Sequence, residues 1–215
     1  MFTTALTIGI PTGTELTALL VVVCFSAGLN VYATVGMLGL LARSHALSLP
    51  ASLQALENWY VIAICGVFFL VEFIGDKIPV FDLLWNALHT FVRVPVAAVL
   101  AYAATAQLPQ WEQLVATLAG SLLAFAAHGG KTAARAAVTH SPEPFSNIAL
   151  SLSEDAAVVF LIWFATRHPY AAAGIVAIAV GATVVMVRLI VRALRNLFYN
   201  AKETIAADTR SSSTF

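Results

Sequence analysis

Asp82-Leu-Leu-Trp-Asn86-Ala-Leu-His89-Thr-Phe-Val-Arg93-Val-Pro95-Val-Ala-Ala-Val-Leu100 carries the clearest structural pattern in the chain. Asp82, Asn86, His89 and Arg93 follow one another at i, i+4, i+7 and i+11. That spacing sets them on one face of one helix. The rest of the stretch is apolar, and the helix is long enough to enter a bilayer. Charges at that depth cost several kcal/mol unless paired or wetted, and they mark a pathway or a site.

The remainder of the chain has the same character. Of its 215 residues 60% are hydrophobic and 10% charged, and its mean hydropathy is +0.87. Apolar runs approach the ~20 residues that cross a membrane. The expected fold class is therefore an all-α membrane protein of about six transmembrane helices. The spans read as Glu15–Ala42, Glu57–Gly75, Val80–Ala106, Trp111–Ala127, Phe145–Thr166 and from just after Pro169 to Phe198. Residues 1–199 form one transmembrane domain, and the polar Ser/Thr-rich residues 200–215 read as a disordered cytoplasmic tail. Eleven basic residues balance eleven acidic ones, with no basic cluster outside the C-terminal end. Nucleic acid is thereby excluded as a partner. Cys24 and Cys65 lie inside apolar runs and read as small core residues. The first apolar run has no Lys or Arg before it, so it reads as a retained span rather than a cleaved signal peptide.

The positive-inside rule sets the orientation. Arg192, Arg195, Lys202 and Arg210 crowd the C-terminal end, and with six spans they share a side with Lys77, Lys131 and Arg135. Both termini are expected in the cytoplasm. The halves 15–106 and 111–198 carry short similar strings: Val67–Phe73 against Val158–Phe164, Phe91-Val92-Arg93 against Met186-Val187-Arg188. Three spans per half would make them inverted repeats, the build of many transporters.

The candidate site collects the unusual charges. Glu72 and Asp76 are four apart on one helix face, Asp82 follows across a proline turn, and Glu154 and Asp155 stand side by side within span five. With His89 and Arg93 they form the expected ion or substrate pathway. Glu72, Asp76 and Asp155 are the candidate ligands for a divalent cation, which takes several oxygens; no other cofactor is expected. Lys131 and Arg135 could hold an anion or lipid headgroup. The same groups also serve as structural ion pairs, Asp76 or Asp82 with Lys131 or Arg135, and Arg93 with Glu154 or Asp155. Asn30 falls in a stripe of Ser26, Asn30 and Thr34 with interleaved glycines, which suits close helix packing or a homodimer face, or else an unwound helix whose carbonyls line a site. Gly129-Gly130 is the expected helix break.

No nucleophile elbow, zinc-protease, nucleotide-binding or dinucleotide-binding pattern occurs. The leading function is a small-ion or small-solute transporter or channel-like protein. The alternatives are a module that binds anionic lipid or phosphate and, third, an enzyme on a lipid-linked substrate. Partners are the lipid bilayer and a small ion, solute or anionic lipid.

Glu72–Pro79 read on through Asp82–Trp85 and His89–Arg93, with Lys131–Arg135, Ser141–Asn147 and Glu154-Asp155, resembles the signature of a bacterial integral membrane family known as a domain of unknown function. That resemblance implies a multi-pass protein of the bacterial inner membrane. Glu72-Phe73-Ile74-Gly75-Asp76-Lys77 is also similar to the E-x-G-D-K/R-S/T motif of the calcium/manganese–proton exchanger family, with one residue inserted before Gly75 and Ile78 in place of the hydroxyl residue. That likeness implies Glu72 and Asp76 as cation ligands.

Overall fold

The first apolar run is not one span. In the computed structural model, which describes residues 13–77, 79–138 and 144–212, it forms two helices, α1 (Gly13–Leu29) and α2 (Val31–Arg43), parted at Asn30. Leu16 and Leu38 line one apolar cavity together with Leu100 and Ile162. In a straight helix at ~1.5 Å rise per residue they would stand about 33 Å apart. The chain therefore doubles back at Asn30, and α2 descends beside α1.

A 3-10 turn (Ala51–Glu57) leads into α3 (Trp59–Gly75), bent from it by 64°. Then follow α4 (Pro79–Ala104), α5 (Gln110–Val138), α6 (Pro144–Ala165) and α7 (Pro169–Ser212). α2 lies antiparallel to α3: Tyr32 stacks on Phe68, Gly36 faces Cys65, and Gly39 meets Leu56 and Ile62. Stretches of α4, α5, α6 and α7 are long and apolar enough to cross a membrane, and the 3-10 turn with α3 makes a fifth if taken as one span. No strand occurs among the described residues.

Small residues bring the helices together. A Cβ on Gly28 would stand 2.3 Å from the Ala124 carbonyl oxygen, so α1 and α5 touch backbone to backbone. A Cβ on Gly120 would meet Cys24 Sγ at 2.8 Å. Such contacts are how helices associate where lipid offers no hydrophobic drive. The outer faces are apolar. Leu114, Leu118, Leu122 and Phe125 of α5 are all more than half exposed, as are Ile178, Val185 and Leu189 of α7. Apolar area on that scale is stable against lipid and not against water. The protein is an all-α membrane protein.

Two sequence expectations change here. Gly129 and Gly130 do not break the helix: α5 passes through both and continues to Val138, a full three turns beyond the expected end of span four. Gly130 is instead a packing position, where a Cβ would meet Thr183 of α7 at 2.7 Å. The break falls at Asn30. α7 runs on through residues 200–212, the polar stretch read from sequence as disordered.

Candidate functional site: a charge network at a broken helix

The site begins with a competition for one hydrogen bond. In a continuous helix the Ala33 N–H would go to the Leu29 carbonyl. Here it goes to the Asn30 side chain, whose Oδ1 accepts it at 2.9 Å. Asn30 takes an extended backbone (φ −149°, ψ 104°) and caps α2. The Leu29 carbonyl is released and accepts from Lys131 Nζ at 3.3 Å. The other end of the Asn30 amide donates to Asp155 Oδ1 at 2.9 Å. One residue thus breaks a helix, exposes a carbonyl to a buried cation and holds a buried acid.

Around this point four helices, α3 to α6, bring their charges together. Lys131 Nζ of α5 lies 3.1 Å from Asp76, 3.4 Å from Glu154 and 3.6 Å from Glu72. Arg135, one turn on, reaches Asp76 at 2.7 Å and Glu154 at 2.9 Å. Arg93 of α4 pairs with Glu72. Its second Nη donates to Asn86 Oδ1 at 3.2 Å and to His128 Nδ1 at 2.7 Å. Since a guanidinium only donates, His128 accepts through Nδ1 and carries its proton on Nε2, which lies 2.8 Å from Thr90 Oγ1. His89 has the opposite tautomer: Nδ1 donates to the Trp85 carbonyl at 2.8 Å, and Nε2 accepts from Tyr32 at 3.1 Å. Glu72 and Arg93 have no exposed surface at all. Desolvating such charges costs several kcal/mol each, recovered only by close pairing.

The count of charges is uneven. Among the described side chains of the network, four acids (Glu72, Asp76, Glu154, Asp155) face three cations (Arg93, Lys131, Arg135). The first three acids each touch a cation. Asp155 touches the neutral Asn30 amide, and its other oxygen, Oδ2, is buried with no hydrogen-bond partner. The hydroxyls of Ser151, one turn before it, and Ser26, one turn before Asn30, are also buried and unpartnered.

The network and the lipid-facing helices lie inside one matched region. A family model described as a domain of unknown function, DUF4126, matches residues 17–189. The chain belongs to the DUF4126 family. No curated protein and no solved structure matches it. The DUF4126 match agrees with the multi-pass membrane resemblance in the sequence; nothing supports the exchanger likeness.

Within this DUF4126 domain the residues expected from sequence mostly meet. Glu72, Asp76, Arg93, Lys131, Arg135, Glu154 and Asp155 are one assembly, and Asp76 takes both expected cations. Arg93 does not pair with Glu154 or Asp155 as expected; it takes Glu72, because α3 and α4 are consecutive and Glu72 lies beside the Arg93 face of α4. The proposed metal ligands do not converge. Among the described residues no three of His, Cys, Asp and Glu are placed to hold a metal ion, and Glu72 and Asp76 face cationic side chains instead. Lys131 and Arg135 both face Asp76 and Glu154. His89 stands one layer away, against Tyr32. Asp82 lies on α4 with its side chain outside the described residues, as do residues 139–143. Sequence reasoning missed Tyr32 and the Leu29 carbonyl, and assigned His128 no role. No spacing rule reveals a carbonyl that a side chain displaces.

Proposed function

We propose that this protein moves protons or a small cation across the membrane, with Asp155 as the acid that gains and loses its companion charge. The observation that carries this reading is the single acid in excess, held by Asn30 at a helix break, inside a lattice of otherwise paired charges. A buried carboxylate without a cation costs several kcal/mol, so it rests with a proton or a positive ligand bound. A break with freed carbonyls is where transporters place such sites and where a helix can flex. A headgroup-binding module is less favoured, because an anion at Lys131 or Arg135 would have to displace Asp76 and Glu154.

The topology that fits is a re-entrant α1–α2 hairpin followed by five crossings, α3 to α7. The end bearing Lys77, Lys131, Arg135, Arg192 and Arg195 faces the cytoplasm, and the end bearing Arg43 and Arg167 faces away. Under this topology the start of α1 lies outside and the end of α7 inside, in place of two cytoplasmic termini. Thr14 and Tyr170 share a hydrogen bond of 2.9 Å, which joins the starts of α1 and α7 at the same end.

The test is proton flux into liposomes loaded with a pH-sensitive dye under an imposed membrane potential. We expect flux with the wild type and none with Asp155→Asn at unchanged melting temperature. Equal flux in both would overturn the assignment of Asp155.

A further inference from the structure

Asp155 also borders the outer surface of the bundle. It lies in an open groove between α3 and α6 whose walls are Phe69 and Phe73 on one side and Phe160 and Trp163 on the other, with Ala156 between. Phe160 and Trp163 are each 49% exposed on the lipid-facing surface. The rings pair along each wall, Phe69 with Phe73 at 5.9 Å and Phe160 with Trp163 at 6.2 Å between centroids. Among the described residues Asp155 is the one charged side chain lining this groove, and it is the acid without a cation.

These two features together select an occupant. The aromatic walls suit an apolar body and attract a positive centre to their faces. The unpartnered Asp155 Oδ2 requires a positive charge or a proton. A bare divalent ion finds one carboxylate here and would keep its water. An anionic lipid is repelled, and a neutral one leaves the acid uncompensated. We propose that the groove binds a lipophilic organic cation, a quaternary or protonated amine with a hydrophobic body, that enters from the bilayer and takes the place of the proton on Asp155. This names the substrate class of the transport site, and so rests on the reading of Asp155 as its exchangeable acid.

The experiment is equilibrium binding of tetraphenylphosphonium to the purified full-length protein in detergent, against empty micelles, with proton release followed in weak buffer. We expect saturable binding with release of a proton. Asp155→Asn is expected to bind at least about tenfold more weakly and to release none. Phe160→Ala, on the lipid face and so no threat to folding, is expected to weaken binding severalfold and keeps the test open if Asp155→Asn does not fold. No saturable binding by the wild type, or equal binding by Asp155→Asn and Phe160→Ala, would overturn the proposal. Asp155-dependent proton flux without phosphonium binding would remove this substrate class and leave the transport reading standing. Binding through Asp155 without any flux would do the reverse.

Discussion

Glu72 and Arg93 show what a single pair does in this protein. Both are wholly buried, and Arg93 also donates to Asn86 and His128. Glu72→Gln would leave a buried guanidinium uncompensated. We expect a loss of about 3–5 kcal/mol, read as a lower melting temperature in detergent. The double change Glu72→Gln with Arg93→Met should recover much of it, since neither charge is then left alone. If the double variant is no better than the single one, the pair does not act as a unit. The α4 stripe made Arg93 legible in the sequence as a buried charge. Its partner was not legible, because helical spacing fixes a face but not which neighbouring helix that face meets.

At the scale of elements, the break falls at Asn30, where the sequence offered an unwound helix as the alternative to packing, and not at the glycines. A Gly-Gly pair reads as a break, yet Gly129 and Gly130 lie inside α5. Nothing stands within 4 Å of a Cβ on Gly129. Gly129→Ala is therefore expected to stabilise by about 0.5–1 kcal/mol, the ordinary gain of alanine over glycine within a helix. A fall in melting temperature would mean that α5 does open there. Gly28→Val should behave in the contrary way: its Cβ would collide with the Ala124 carbonyl, so α1 and α5 must separate. The expected outcome is little folded protein by size-exclusion chromatography. Asn30→Ala removes the cap of α2, a loss of about 1 kcal/mol, and also the one hydrogen bond of Asp155. Asn30→Asp keeps an acceptor for Ala33 but sets two carboxyl groups against each other. It should lose more stability than Asn30→Ala, because it adds a second buried acid with no cation to pair it. The reverse order would show that the Asn30 donor is unimportant to Asp155.

Over the whole molecule, the hairpin at Asn30 changes the parity of the bundle. A straight first span would place the start of α1 and the end of α7 on one side; a re-entrant one places them on opposite sides. Gly13 and Asn196 are exposed, and both native cysteines are buried. Gly13→Cys is expected to react with a membrane-impermeant maleimide from outside intact cells, and Asn196→Cys only after the membrane is opened. Labelling of both from the same side would rule out the re-entrant hairpin.

Apolar length and sparse charge are enough to make this a helical membrane protein, because they admit no other environment for such a chain. The spacing of the charges also locates the side chains that meet, and the pairing of Asp76 with Lys131 and Arg135, because burial forces opposite charges together. Where the chain turns and which acid is left over depend on contacts between distant helices. Whether Ala33 bonds to the Leu29 carbonyl or to the Asn30 side chain is a near-balanced local choice. It is tipped by Lys131 and Asp155, which arrive from helices about 100 residues or more further along the chain and take the carbonyl and the amide that the break sets free.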